Sequence, residues 1–178
     1  MIPGRRRFLA GSAAALALPT WARASADPAA AGAPVEIVMQ GKGDGAHVWF
    51  DPAGLLVKPG AIVRWTNRET GNVHTTTAYA PQNFDRPLRI PAGARPWNSD
   101  YLMPGETFEV TLTVPGVYDF YCIPHEHAGM VGRIVVGEVP AGWHGWPDGD
   151  LPPVALAAFP KVAAIVSRGS VQAGGRPA

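Results

Sequence analysis

The feature that most limits the fold of this chain is a series of short strand-like segments between residues 34 and 138. From Glu106 to Val114, apolar residues alternate with threonine and glutamate, which is the period of a strand with one buried face. Similar runs, rich in valine, isoleucine, threonine and aromatic residues, are separated by glycine, proline, asparagine and aspartate. About eight such strands predict an all-β fold, either an antiparallel sandwich or a barrel.

Two segments depart from the strand pattern. Residues 80–105 are rich in proline and have no clear period, so we predict a long loop between strands, anchored by Trp97 and Leu102. Residues 139–178 begin as a connector rich in glycine, proline and tryptophan and end in a tail with one or two short helices, interrupted at Pro160. We expect this tail to pack on the body, with an interaction tail as the alternative. The apolar residues expected to make that contact are Leu156, Phe159, Val162 and Ile165.

The first 24 residues have the pattern of an export signal. Three arginines precede an apolar run from Phe8 to Leu18, which is followed by small residues that fit a cleavage site. The apolar run is too short to span a bilayer, and Arg5 to Leu9 resembles the twin-arginine signal, by which bacteria export folded proteins. We predict a signal peptide over residues 1–24, with cleavage at residue 26 as the alternative, and a linker over residues 25–33.

Removal of the signal peptide changes the charge of the chain. Four arginines and no acidic residue are lost, so the nominal charge falls from +1 to about −3. A mildly acidic domain gives no reason to expect nucleic acid as a partner. The apolar part of the tail is too short and too interrupted to span a membrane.

The stretch YCIPHEHAGM, residues 121–130, contains the one cysteine of the chain, two of its five histidines and one of its four methionines. An exported chain with one cysteine makes no internal disulfide, so Cys122 is a buried thiol, an intermolecular bridge or an occupied thiolate. The strand period places Tyr118, Phe120 and Cys122 on one side. A thiolate buried there needs a compensating cation.

Copper is the cation that the nearby donors favour. Two imidazoles, one thiolate and a weak thioether form the set that suits cycling between Cu(I) and Cu(II). Cys122, His125 and Met130 supply three of these donors on one turn. His74 lies in a strand-rich run after a Gly-Asn turn and is the candidate for the second imidazole.

Three segments of residues 34–138 match the pattern of a known family. They read FDPAGLLVKPGAIVRWTN, NVHTTTA and PGETFEVTLTVPGVYDFYCIPHEHAGMVGRIVV. Together they resemble a plastocyanin-type or pseudoazurin-type blue copper protein of the cupredoxin family. The resemblance implies a Greek-key β-sandwich of about eight strands, one type 1 copper per chain, and single-electron transfer rather than catalysis.

The family's ligand spacing separates the two histidines of the loop. Plastocyanins and pseudoazurins place a histidine three residues and a methionine eight residues after the cysteine, which gives His125 and Met130. The azurin spacing of five and nine gives His127 and Val131, and valine has no donor. The amicyanin spacing of three and six ends on Ala128. The resemblance therefore implies four copper ligands and leaves His127 on the outer loop. The ligands are His74, Cys122, His125 and Met130.

Two features depart from the family pattern. The residue after the first histidine is commonly asparagine, which ties the two ligand loops together. Thr75 stands here, and we expect its hydroxyl to do part of that work. Glu126 and His127 are expected to interrupt the apolar surface that family members expose around the second histidine. His47 and His144 are interpreted as structural residues.

The leading hypothesis is a periplasmic electron carrier that works by outer-sphere transfer through the imidazole edge of His125. Cys122 fixes the thiolate bond and Met130 tunes the reduction potential. The expected partners are a redox donor and acceptor, such as a c-type cytochrome or a respiratory enzyme. One alternative is a copper-binding protein for delivery or storage without redox turnover. Another is a metal-free cupredoxin-like binding module in which the cysteine is merely buried.

Overall fold

Two β-sheets form the body of the protein, in a computed structural model that describes residues 32–43 and 45–173. The predicted signal peptide, residues 1–24, lies outside the described residues. The strands within them are β1 (Val35–Gly41), β2 (Val48–Asp51), β3 (Gly54–Val57), β4 (Ala61–Asn67), β5 (Thr77–Ala78), β6 (Thr107–Leu112), β7 (Gly116–Tyr121), β8 (Val131–Val136) and β9 (Ser170–Val171).

The strands divide into a four-stranded and a five-stranded sheet. The first sheet has the order β2-β1-β4-β6, in which β1 pairs antiparallel with β2 and parallel with β4. The second has the order β5-β7-β8-β3-β9, in which β7 and β8 are antiparallel and β3 and β8 are parallel. The prediction of an all-β sandwich is confirmed, and the two sheets do not close into a barrel. The expectation that the sandwich is antiparallel was wrong for two strand pairs, β1–β4 and β3–β8, which are parallel.

The strand prediction was too long around His74. The run from Val73 to Tyr79 forms only the two-residue strand β5, and His74 instead makes an isolated bridge to Leu102. Residues of the proline-rich loop therefore take the place of a neighbouring strand. Trp97 and Leu102, the predicted anchors of that loop, are both 6% exposed and belong to the main core.

An aromatic cluster fills the space between the sheets. The ring of Phe120 meets Phe50 and Trp65 edge to face, with centroid separations of 4.8 and 5.3 Å. Each such pair contributes roughly 0.5–1.5 kcal/mol beyond the burial of its area. Gly132 lies opposite Phe120 in the β7–β8 register, and a Cβ there would overlap the phenyl ring. A glycine is therefore needed on β8 for the ring to occupy this position.

The C-terminal tail covers the outer face of the five-stranded sheet. Its helices are α1 (Pro153–Ala158) and α2 (Val162–Arg168), separated at Pro160 as predicted. All six residues of β7 are buried because the tail packs on the face that points away from the core. The contact is made through the predicted residues Leu156, Phe159, Val162 and Ile165.

A buried charge cluster links the sheet to the tail. Asp119 accepts hydrogen bonds from Arg89 Nε at 2.9 Å and from Arg133 Nε at 2.6 Å. The same arginines donate to the tail carbonyls of Pro147 and Pro160. The carboxylate is fully buried, so removal of either arginine would leave a poorly compensated charge.

In the described part of the chain, no helix combines the length and apolarity that crossing a membrane requires.

Ile165→Ala tests the contact between the tail and the sheet. Ile165 is fully buried against Val117 and Val135, so truncation should leave a cavity and lower the free energy of unfolding by about 2–5 kcal/mol. Denaturant unfolding measures this change. Val166→Ala is the matched control, because Val166 is the next residue of α2 and is exposed; it should change stability by no more than about 0.5 kcal/mol. Equal effects of the two substitutions would contradict the packing.

Candidate metal centre

Asn67, at the end of β4, organises the loop that leads to His74. Its side-chain amide donates to the carbonyl oxygens of Asn72 and Leu102, at 2.9 Å each. Its side-chain oxygen accepts from the backbone N–H of Glu69 at 3.0 Å. All of these bonds satisfy polar groups that would otherwise be costly to bury. The turn before His74 is thereby held on both sides by one buried residue.

The backbone of His74 is fixed by a strand-like exchange of hydrogen bonds with Leu102. The N–H of His74 donates to the carbonyl of Leu102 at 3.2 Å, and the N–H of Leu102 donates back at 2.8 Å. The proline-rich loop, which carries Leu102, thus contributes to the position of a candidate ligand.

The other three candidate ligands lie around one short helical turn, Ile123–Ala128, which Cys122 joins to the end of β7. The N–H of His125 donates to the carbonyl of Cys122 at 3.1 Å, and the N–H of Cys122 donates to the carbonyl of Met130 at 3.0 Å. The turn ends at Gly129, whose φ of 77° is readily adopted by glycine. The N–H of Met130 donates a hydrogen bond to the carbonyl of His125 at 3.1 Å. The loop is closed by its own backbone.

Three of the four predicted ligands present their donor atoms to one another. Cys122 Sγ lies 3.3 Å from His125 Nδ1 and 3.7 Å from His74 Nδ1. The two Nδ1 atoms are 3.2 Å apart. Within the described residues, this is the one group of histidine, cysteine or acidic side chains arranged as a metal site. Such convergence of soft and borderline donors fits a copper ion.

Met130 is the fourth predicted ligand. Its side chain is fully buried and belongs to the same core cluster as Cys122. His127 is exposed on the outside of the loop, as the spacing predicted. His47 and His144 are also exposed and do not belong to the group of donors.

The electrostatics of the centre favour a bound cation. Burial raises the pKa of the Cys122 thiol to about 12, although the backbone N–H of Thr75, which donates to Sγ at 3.2 Å, opposes that rise. Burial also lowers the pKa of both His74 and His125. The imidazoles are therefore neutral near pH 7, which is the form that binds metals. A metal ion would replace the thiol proton and neutralise the thiolate.

Thr75 connects the two ligand loops, as predicted. Its hydroxyl oxygen accepts a hydrogen bond from the backbone N–H of Ile123 at 2.8 Å, while its own N–H donates to Cys122 Sγ. The hydroxyl also lies 3.2 Å from that of Thr77. A threonine can therefore tie the loops together where the family commonly uses asparagine.

Two neighbours of the imidazoles were not found from the sequence. Glu69 Oε2 lies 2.7 Å from Nε2 of His74, and Asn72 Nδ2 lies 3.3 Å from Nε2 of His125. Both belong to the loop before His74. The sequence separation of either residue from the histidines does not indicate that it contacts a ligand. Their positions follow from how Asn67 folds the loop, which local sequence pattern does not reveal.

The expectation that Glu126 interrupts the surface around His125 was wrong. Glu126 is only 5% exposed because its side chain turns inward. It accepts a hydrogen bond from the hydroxyl of Tyr79 at 2.7 Å and pairs with Arg86. The carboxylate thus joins the helical turn to the loop that follows β5, and His127 alone of the two faces the surface.

The comparisons with known proteins agree with this geometry. The model of the family described as copper binding proteins, plastocyanin/azurin family, matches residues 37–137. The chain belongs to this family. It is a cupredoxin, and its His-Cys-His group is compatible with a single copper ion.

Individual relatives of this cupredoxin include plant proteins and a bacterial one. It is 38% identical over 144 residues to the chloroplastic plastocyanin of Oryza sativa subsp. indica, covering 75% of this chain and 88% of the relative. It is 41% identical over 103 residues to the chloroplastic plastocyanin of Hordeum vulgare, covering 56% of this chain and 61% of the relative. The solved structure of a pseudoazurin from Sinorhizobium meliltoi superposes with a TM-score of 0.56 at 31% identity, covering 75% of this chain and 96% of that one.

Thr75→Val tests the link between the ligand loops of this cupredoxin. Valine keeps the shape of threonine but leaves the Ile123 N–H without its acceptor, so the free energy of unfolding of the copper-free protein should fall by about 1–3 kcal/mol. Denaturant titration gives the value. Thr111→Val, at an exposed position of β6, is the same chemical change and should cost no more than about 0.5 kcal/mol. A neutral Thr75→Val would show that the hydroxyl is dispensable.

Tyr79→Phe tests the buried bond to Glu126. Burial, reinforced by this carboxylate, raises the pKa of Tyr79 above its ordinary value, so the neutral phenol stabilises the fold fully below about pH 10. That contribution is lost as the pH rises further, because the unfolded chain then releases the proton. At about pH 8 the substitution should cost roughly 1–3 kcal/mol. Above about pH 10 the difference from wild type should shrink by roughly 1.4 kcal/mol per pH unit.

The measurement is denaturant unfolding of copper-free protein from about pH 8 to about pH 11. Tyr101→Phe is the control for loss of a hydroxyl group, since Tyr101 is 57% exposed. A Tyr79→Phe difference that stays constant across the range would contradict the assignment.

Proposed function

We propose that this protein is a periplasmic type 1 copper protein that carries single electrons between redox partners. The proposed copper ligands are His74, Cys122, His125 and Met130. The observation that carries the proposal is their unequal exposure. His74, Cys122 and Met130 are 0% exposed, whereas His125 is partly exposed at the protein surface. A buried centre with one ligand at the surface is suited to exchanging electrons without exchanging the metal.

The bound copper would supply one electron by cycling between Cu(I) and Cu(II). The protein's contribution is to hold the donors in place. Cys122 and His125 are locked by the backbone of their own turn, and His74 by its bonds to Leu102. Thr75 donates to the cysteine sulfur and accepts from the second loop. Donors held in this way cannot rearrange freely when the charge of the centre changes, which keeps the reorganisation cost of transfer low.

His125 is the proposed exit for the electron. It follows Pro124, which is exposed, and precedes Glu126, which is turned inward. A partner can therefore approach the imidazole edge without displacing a charged neighbour on that side. Outer-sphere transfer through this edge needs only contact between the two proteins.

The burial of the donors argues against copper delivery or storage as the function. Delivery requires donors that an acceptor protein can reach and replace, whereas three of the four donors here are sealed inside the sandwich. We therefore propose that the protein is an electron carrier and not an enzyme. Its donor and acceptor are proposed to be redox proteins such as a c-type cytochrome or a respiratory enzyme.

The domain division and the location are part of the same proposal. Residues 34–138 form the cupredoxin domain, which agrees with the family match to residues 37–137. Residues 1–24 would direct export by the twin-arginine route to the periplasm, 25–33 would link the signal to the domain, and 139–178 would form the connector and tail.

Spectroscopy of the Cu(II)-loaded mature protein tests the proposal. We expect an intense blue thiolate charge-transfer band and narrow copper hyperfine splitting in the EPR spectrum. Both should be lost in Cys122→Ser, His74→Ala and His125→Ala, because each removes a converging donor. Met130→Ala should keep the thiolate band but shift the reduction potential, since the thioether is the weak ligand. His127→Ala is the matched control and should leave the spectra unchanged.

Two results would count against this function. A pale protein with ordinary copper signals would exclude a type 1 centre. Loss of the blue band in His127→Ala together with its retention in His125→Ala would reverse the ligand assignment. Repeated reduction and reoxidation by a soluble redox mediator should leave the copper bound, and release of copper on reduction would favour delivery instead.

A further inference from the structure

Glu69 makes the shortest contact to either candidate ligand histidine. Its Oε2 lies 2.7 Å from Nε2 of His74, on the side of the ring away from Cys122. Both side chains are buried, at 7% and 0% exposure. A buried carboxylate requires a partner for its charge, and the imidazole N–H is the one it meets here.

The contact selects one form of the imidazole. An ionised carboxylate can only accept hydrogen bonds, so it holds the proton of His74 on Nε2. In the neutral ring this leaves the lone pair on Nδ1, the atom that faces Cys122 Sγ and His125 Nδ1. That tautomer is the one that can bind a metal between these donors.

The position of the Glu69 carboxylate is defined by its neighbours Asn67 and Gly41. The backbone N–H of Glu69 donates to the side-chain oxygen of Asn67, which fixes the residue in the loop. On the other side lies Gly41, the last residue of β1. A Cβ at position 41 would overlap the carboxylate of Glu69. The absence of a side chain on β1 is therefore what makes room for the charge beside His74.

We propose that Glu69 is a positioning residue of the copper centre, which holds His74 in the tautomer that binds through Nδ1 and lowers the reduction potential. The proposal rests on the proposed function, in which His74 is a copper ligand. The effect on potential follows from charge. A buried negative group close to the centre stabilises Cu(II) more than Cu(I), because the oxidised ion carries the larger positive charge.

A purely structural role would have different consequences. If Glu69 only stabilised the loop, its replacement would alter the free energy of unfolding but not the potential of the folded protein. Glutamine is the informative replacement, because its amide oxygen can still accept from His74 Nε2 while the charge is removed.

The first experiment measures the reduction potential of copper-loaded protein by spectroelectrochemical titration. Glu69→Gln should keep the blue band and raise the potential, by about 59 mV if the relative affinity for Cu(I) over Cu(II) rises tenfold. Glu109→Gln is the control for charge, since Glu109 is an exposed partner of Arg64, and its potential should stay close to that of the wild type. A Glu69→Gln protein that is blue and has the wild-type potential would overturn the proposal.

A second pair of variants moves the carboxylate without changing it. Gly41→Ala should displace Glu69 from His74 and raise the potential in the same direction. Gly43→Ala is its control, because a Cβ there meets nothing within 4 Å. Equal potentials in the two alanine variants would overturn the role of the space at Gly41.

The third measurement does not depend on copper. Nitrogen-15 NMR of the metal-free protein should show His74 with its proton on Nε2, and Glu69→Ala should shift the ring toward a mixture of tautomers. A proton on Nδ1 in the wild-type protein would overturn the proposal even if the copper centre is blue. If the wild-type protein is not blue, the proposed function fails, and the NMR result still decides whether Glu69 sets the tautomer.

Discussion

The burial of the Cys122 sulfur is the constraint on which the site depends. A thiolate inside an aromatic core is unfavourable without a cation, and burial alone keeps the thiol protonated. The two neutral imidazoles that meet the sulfur offer two further donors for a copper ion. The same core that makes the charge costly also keeps water and competing ligands away. The position of Cys122 directly after β7 therefore accounts both for the need for a metal ion and for the burial of the site.

Hydrogen bonds between the two ligand loops convert that position into a defined geometry. Asn67 folds the loop before His74, and Thr75 fastens it to the residues that follow Cys122. The outer nitrogens of both imidazoles face side chains of this one loop, Glu69 and Asn72. The loop therefore orients both histidines, although only one of them belongs to it.

Much of the fold and site could be predicted from local pattern and spacing. The alternation in β6 is visible along the chain, and the resemblance to plastocyanins and pseudoazurins supplied the spacing from Cys122 to His125 and Met130. Contacts that cross between segments were harder to predict. Glu126 was expected at the surface because it stands beside His127 in an exposed loop, yet Tyr79 and Arg86 draw it inward. The burial of β7 on both faces likewise depends on a tail that is distant in sequence.

The order of amino acids alone therefore determined the strand period, the donor types and the register of the cysteine loop, since each depends on neighbours along the chain. Tertiary structure decided which donors meet, which carboxylates are buried, and how the imidazoles are oriented. His74 reaches Cys122 only because the sandwich brings two loops to one end, and Glu69 reaches His74 only because Gly41 on another strand leaves it room. Such contacts depend on the packing of separate segments, a property that no local pattern records.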